Sequence, residues 1–177
     1  ERQRDCSQEH RALPRTLGSA IFQARMRSTR LPGKALLDLS GEPLLMRVVE
    51  RTRLSKHVDD VIVATSNNEA DDEIAKLCER EGISIFRGSE TDVLERYAEC
   101  SRSFACDTVV RITSDCPLID PQVTDMCIEA LKSGTFDYAA NTMNDASTFP
   151  RGLDVEVFTD GALQKANIEA KQLYERE

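Results

Sequence analysis

Four cations, Arg25, Arg27, Arg30 and Lys34, fall within ten residues of a chain whose formal net charge is −8. They sit in the run FQARMRSTRLPGK (residues 22–34), which also carries the hydroxyls of Ser28 and Thr29 and the turn signal Pro32-Gly33. These residue types suit phosphate. Arg25 and Arg30 offer planar donor forks to phosphoryl oxygens, Lys34 a compact charge, and the hydroxyls and loop N–H groups can line a triphosphate. The alternative is a solvated basic surface loop, which has no need to combine Ser-Thr, Pro-Gly and spaced cations. A second feature is Asp115, which follows an apolar run directly and is stopped by Pro117. A carboxylate at a strand's carboxyl end suits magnesium, which takes hard oxygen ligands and is content with one or two carboxylates plus substrate phosphate oxygens. Its alternative is a turn-capping aspartate before Pro117. Opposite a cationic loop, the metal reading is the stronger.

Other chemistries lose by default. No Ser/His/Asp order, C-x-x-C pair, H-E-x-x-H or Walker-type loop is present, and His10 and His57 fall in a polar tail and a helix-to-strand connection. The six cysteines are scattered, most of them in apolar-patterned stretches, and read as buried thiols rather than disulfides or a zinc site. The negative net charge argues against a nucleic-acid-coating surface, and no apolar run has the length of a membrane span. The expectation is a cytoplasmic protein that engages neither nucleic acid nor membrane.

The elements that must position these residues follow from periodicity. Residues 1–17 lack sustained pattern and are expected to be a disordered tail, leaving 18–177 as one domain. Ala20–Phe22 reads as the end of a buried strand, and Pro43 opens a helix whose stripe is Leu44, Leu45, Val48, Val49 and Leu54. Val58–Thr65 is a strand apolar enough to be buried on both faces. A helix with Ile74, Leu77 and Cys78 inward follows, its start enriched in Glu69, Asp71, Asp72 and Glu73 as the helix dipole favours. Strand 83–86, helix 91–104, strand 108–112, a helix from Pro121 with Met126 and Cys127 inward, and strand 136–140 complete an alternation that predicts a layered α/β fold. In such folds ligands sit outside the carboxyl ends of the strands. The basic loop, Ser66-Asn67, Arg87-Gly88-Ser89 and Ser114–Pro117 all occupy such positions. Finally, Leu153–Phe158 alternates strictly, placing Asp154 and Glu156 on one side with Arg151 nearby. Either this is an edge strand with a solvated acidic face, or these three side chains bind sugar hydroxyls or a second metal.

The blocks FQARMRSTRLPGK, VIVATS, FRGSETDVLERY, VVRITSDCPLIDP and FPRGLDVEVF, in that order, resemble those of the spore coat polysaccharide biosynthesis protein F (SpsF) family of cytidylyltransferases. That family is related to the KDO and acylneuraminate enzymes, and the resemblance covers roughly residues 20 to 177. It implies a Rossmann-like, GT-A-like α/β/α nucleotidyltransferase with a mostly parallel sheet, and magnesium-dependent transfer of CMP from CTP to a sugar or sugar acid in surface or spore coat polysaccharide biosynthesis. It also implies roles. Arg25, Lys34 and Asp115 would be catalytic, with Asp115 the metal ligand. Ala24, Arg25, Ser28, Thr29, Arg30, Lys34, Ser66, Asn67, Arg87 and Ser89 would line the nucleotide, and Arg151, Asp154 and Glu156 the acceptor. Arg27 and Ser114 depart from the family, which usually has Gly at both places; Arg27 either crowds the phosphate loop or adds a cation to it. The family also continues beyond Glu177, so the domain is expected to be truncated, with an apolar stripe on the last helix (163–173) left open and promoting a homo-oligomer. The rival readings are a nucleotide-sugar glycosyltransferase, which would show a D-x-D motif, and a noncatalytic nucleotide-binding or assembly module.

Overall fold

A computed structural model describes residues 18–28, 31–142 and 149–176. Its frame is a six-stranded sheet built from β1 (Ser19–Gln23), β2 (Asp60–Ser66), β3 (Ser84–Gly88), β4 (Thr108–Thr113), β5 (Tyr138–Ala140) and β6 (Glu156–Thr159). The order is β3-β2-β1-β4-β6-β5, parallel from β3 to β4, with β6 antiparallel to both its neighbours. Apolar runs without alternation mark the parallel centre. Ala20, Ile21 and Phe22 of β1 and Ile62, Val63 and Ala64 of β2 have no exposed surface, as expected of strands covered on both faces.

Five helices supply the cover: α1 (Leu44–Thr52), α2 (Asp72–Arg80), α3 (Val93–Ser103), α4 (Pro121–Ser133) and α5 (Asp160–Glu169). One core joins Phe22, Val63 and Ile112 of the sheet to Leu45, Ile74 and Ile128 of α1, α2 and α4. The other joins Ile21, Ile62 and Val109 to Val93, Tyr97 and Leu163 of α3 and α5. Four helix starts follow their residue chemistry. The side chains of Asp92, Asp120 and Thr159 cap α3, α4 and α5, and Pro43 precedes α1, where its missing N–H costs nothing.

Several sequence expectations need correction. β6 is interior rather than an edge and begins only at Glu156. Leu54 and Met126, expected inward, are 68% and 45% exposed, because α1 ends at Thr52 and Met126 falls off the buried stripe of α4. The fifth strand begins at Tyr138, two residues later than expected, with Phe136 exposed. The last helix does not run to Leu173 without partners. It ends at Glu169 and packs on α3, and the carbonyl of Arg176 then accepts the Val93 and Leu94 N–H groups while its guanidinium meets Asp92 at 2.6 Å. Cys78, Cys100, Cys106, Cys116 and Cys127 are free and buried, as expected; Cys6 and His10 lie outside the described residues. No helix among the described residues is long and apolar enough to cross a membrane.

Candidate functional site

Four parallel strands deliver their carboxyl ends to one side of the sheet. At equal register, Gln23 closes β1 beside Ala64 of β2 and Thr113 of β4, so the loops leaving these strands start level with one another. The loop after β1 folds back on itself: the N–H groups of Ser28 and Gly33 both donate to the Met26 carbonyl, at 2.9 and 2.8 Å. Gly33 has a φ of 72°, a left-handed backbone that any side chain would strain. A short helical turn (Lys34–Leu36) follows immediately and aims Lys34 back across the loop.

There the chemistry gathers. Gln23, Arg25, Ser28, Lys34, Thr113, Ser114 and Asp115 line one cavity of about 170 Å³. Lys34 Nζ is bonded to the Asp115 carboxylate, whose environment also includes the Thr113 hydroxyl. Burial pushes the Asp115 carboxyl up, but the Lys34 and Thr113 hydrogen bonds and the Lys34 charge outweigh it and hold the group below the ordinary carboxylate range. Asp115 is therefore ionised and faces the cationic loop rather than serving only its own turn. No group of three or more His, Cys, Asp or Glu side chains that could hold a metal occurs among the described residues. An exposed, ionised carboxylate beside the Arg25, Ser28 and Lys34 donors still fits magnesium, whose remaining ligands would be phosphate oxygens and water. Arg25 is exposed at the same cavity, whereas Thr29 and Arg30 lie outside the described residues.

The rim on the β2–β3 side is arranged differently. Ala24 is buried, its N–H donating to the Ala64 carbonyl. Ser66 donates its hydroxyl to Asp71, and the Ser66 and Met26 N–H groups donate to the same carboxylate at 3.2 and 2.7 Å. Asp71, read from sequence as one of several helix-start acids, is thus a buried clamp between the basic loop and β2. Asn67 is exposed, with its N–H on the Gly88 carbonyl. Arg87 braces the rim: Nε reaches the Ser66 carbonyl and Nη2 the Asn68 carbonyl, both at 3.0 Å, and Asp72 lies 2.8 Å away. The Ser89 hydroxyl accepts from the Asp92 N–H at the start of α3. Arg27, the departure in the basic loop, neither enters the cavity nor crowds it; it extends to Glu90 at 3.4 Å, and Glu90 also accepts from Asn68.

Arg96 was not foreseen. It has no exposed surface, donates Nη1 to the Ser89 carbonyl, and leaves Nε and Nη2 without a hydrogen-bond partner. Burial pushes its guanidinium pKa down. Its aliphatic stem packs under Gly88, where a Cβ would lie 3.1 Å from Arg96 Cγ and 2.8 Å from the Phe86 ring. Gln23 and Thr113 were missed as well, although a polar residue ending an apolar strand is a legible signal. Of the acidic pair, Glu156 is bonded to Arg111 and accepts from the Tyr138 hydroxyl at 2.7 Å. Burial above all pushes the Cys116 thiol up, with the Asp115 and Asp154 charges adding to it, while Arg151 is exposed in the turn before Asp154.

A family model described as cytidylyltransferase matches residues 19–177. The chain belongs to the cytidylyltransferase family. Its relatives include the spore coat polysaccharide biosynthesis protein SpsF of Bacillus subtilis, 40% identical over 67% of this chain and 51% of the relative. The 3-deoxy-manno-octulosonate cytidylyltransferase of Geobacter sulfurreducens is 35% identical over 72% of this chain and 52% of its own. The chain spans about half the length of these two curated relatives. A solved cytidylyltransferase from Leptospira borgpetersenii superposes with a TM-score of 0.84 at 34% identity, covering 93% of this chain and 68% of that one. The fold is also that of a CMP:2-keto-3-deoxy-manno-octonic acid synthetase solved with CTP, with a TM-score of 0.72 at 18% identity over 88% of this chain and 79% of that one. The mostly parallel α/β/α nucleotidyltransferase fold expected of this cytidylyltransferase-family chain is thereby established.

Proposed function

We propose that this chain carries the nucleotide-binding core of a sugar cytidylyltransferase that transfers CMP from CTP to a sugar in surface or spore coat polysaccharide biosynthesis. The observation that supports it most is the convergence of Arg25, Ser28 and Lys34 on Asp115 in one cavity at the carboxyl ends of β1 and β4. In this reading an acceptor hydroxyl oxygen forms a bond to the α-phosphorus in line. The bond from that phosphorus to the bridging oxygen breaks, its electron pair leaves with pyrophosphate, and the hydroxyl proton passes to water.

The residues present have the roles such a transfer needs. Lys34 and Arg25 offset charge building on the leaving pyrophosphate, and Ser28 with the loop N–H groups fixes the phosphates in place. Magnesium fits beside Asp115, where it would supply charge neutralisation on phosphate oxygens. On nucleotide binding, Lys34 exchanges its carboxylate partner for a phosphate, and the ion pair now present holds the two side chains at the cavity. Ser66, Asn67 and the Gly88-Ser89 segment face the base and ribose mainly through their backbone, which Asp71, Arg87 and Arg96 hold. Arg151 and Asp154 belong to the acceptor side. Self-association through exposed Ile168, Leu173 and Tyr174, 70–85% exposed, completes the proposal.

The test is thermal stabilisation by each of the four nucleoside triphosphates with and without magnesium, since a ligand that binds only the folded state raises the midpoint. CTP with magnesium is expected to shift the midpoint well beyond the others. Equal shifts would leave a general nucleotide-binding module, and none would remove the nucleotide reading.

A further inference from the structure

Helix α3 starts just past the carboxyl end of β3, a position at which α/β proteins commonly take a phosphate on free helix N–H groups. Here the first four N–H groups all have partners in the chain. Those of Val93 and Leu94 donate to the Arg176 carbonyl at 2.9 and 3.0 Å, that of Glu95 to Asp92 Oδ1 at 2.8 Å, and that of Arg96 to the Asp92 carbonyl at 3.2 Å. A helix start filled in this way holds no anion; it fixes backbone.

A short ordered turn delivers Arg176 to that place. After α5, the Lys171 and Gln172 N–H groups both donate to Glu175 Oε2 at 2.8 Å, closing the turn Leu173–Glu175. The Arg176 guanidinium then joins two elements. Its Nε meets Asp92 Oδ2 at 2.6 Å, while Nη1 reaches the Asn167 and Ala170 carbonyls, each at 3.0 Å, and Nη2 the Asn167 side-chain oxygen at 2.7 Å. The Arg176 and Asp92 side chains are 19% and 24% exposed, so salt screens this pair less than it screens a pair in open solvent.

Asp92 passes this grip to the crevice. Its N–H donates to the Ser89 hydroxyl oxygen at 3.1 Å, and the Ser89 carbonyl accepts from Arg96 Nη1, on the same first turn of α3. Ser89 therefore moves only if the start of α3 moves. Its hydroxyl, already an acceptor, keeps a hydrogen to donate to a ligand oxygen. One residue earlier, the Gly88 carbonyl accepts the Asn67 N–H at 2.9 Å, which makes the Ser89 edge continuous with the Ser66-Asn67 rim. The basic loop has a different tether, the Met26 N–H on Asp71 at 2.7 Å. Resting on the nucleotide reading above, we infer that Arg176 is a positioning residue for the nucleoside half of the nucleotide: through Asp92 it fixes the Ser89 edge, and the phosphate loop does not depend on it.

Calorimetric titration of the 177-residue protein with CTP and, separately, with inorganic pyrophosphate, both with magnesium, tests this. Arg176→Ala is expected to weaken CTP about three- to tenfold and to leave pyrophosphate within about twofold of the wild type. Asp92→Asn keeps a side-chain oxygen to cap Glu95 but gives up the charge that meets Arg176, and should weaken CTP to the same extent. The double variant should then bind as each single one does, because both cut the same link. Arg176→Lys keeps a charge opposite Asp92 without the fork to Asn167 and Ala170, and should recover part of the loss; it and Asp92→Asn carry the test if Arg176→Ala does not fold. CTP binding unchanged in Arg176→Ala, additive losses in the double variant, or equal losses for CTP and pyrophosphate would overturn the inference, since a general loosening of the chain acts on both ligands. In the wild type, pyrophosphate heat without CTP heat removes the nucleoside rim and the inference with it, and heat from neither removes the nucleotide reading itself.

Discussion

The two sides of the strand-end crevice use their cations in opposite ways. On the side of β1 and β4, Arg25 is exposed and Lys34 is held by one carboxylate that is itself open to the cavity, which in the proposed reading leaves both to meet a phosphate. On the side of β2 and β3, Arg87 is bonded to two carbonyls and Asp72, Arg96 is buried under Gly88, and Arg27 reaches Glu90. One side leaves charge open to the crevice; on the other, Arg87 and Arg96 spend it on backbone carbonyls and Arg27 on the Glu90 carboxylate. Net charge in a sequence window does not distinguish the two uses, because the difference lies in what each guanidinium or ammonium finds within reach after folding.

The sharpest break of this comparison is at the phosphate side. Lys34→Ala and Asp115→Ala are each expected to lower CMP-transfer activity by about 10²–10³-fold, the cost of removing a group that meets developing charge, while the far-ultraviolet spectrum is unchanged. Steady-state pyrophosphate release, once an acceptor is in hand, measures it. Next in size is the clamp between the two sides. Asp71→Ala leaves the Met26 and Ser66 N–H groups without their buried acceptor and should cost about 1–3 kcal/mol in urea unfolding, with weaker CTP binding as the basic loop loses its anchor.

A pH series sharpens the phosphate side further. The Asp115 carboxyl is held below its ordinary value in the folded chain, so the stability it contributes is fully present above the unfolded pKa of about 4 and is lost as pH falls through the lower folded value. Lys34→Ala removes the main partner that depresses it, so the folded value returns toward the unfolded one, and the share of the acid loss of stability that Asp115 supplies should shrink relative to the wild type. Smallest is Arg27→Gly. Its ion pair with Glu90 is 3.4 Å long and the Arg27 side chain is 68% exposed, so denaturant midpoints should move by no more than about 0.5 kcal/mol.

Much of the frame was legible in the sequence because burial on both faces leaves a direct record. Val61–Ala64 and Ala20–Phe22 carry unbroken apolar runs, and the turns after them mark where a crevice must open. Arg25, Ser28, Lys34 and Asp115 could be joined into one site for the same reason, since parallel strands bring their following loops together whatever the loop sequences are. The acidic strand was harder. Alternation in Leu153–Phe158 shows that one side is polar but not what the polar side meets; Arg111, 45 residues away, pairs with Glu156 and makes an interior strand resemble an edge. Asp71 and Arg96 were hidden by composition, one among several helix-start acids and the other on a helix whose remaining charges face solvent. Only the tertiary contact separates a clamp from a solvated charge.

The contrast between the two sides is tested most directly by calorimetric titration of CTP with magnesium into the wild type, Lys34→Ala and Arg87→Ala. The expected result is binding heat lost in Lys34→Ala, and retained in Arg87→Ala with affinity reduced by less than about tenfold, equivalent to 1.4 kcal/mol. Full loss in Arg87→Ala with Lys34→Ala unimpaired would place the nucleotide's charge on the other side of the crevice and contradict the assignment.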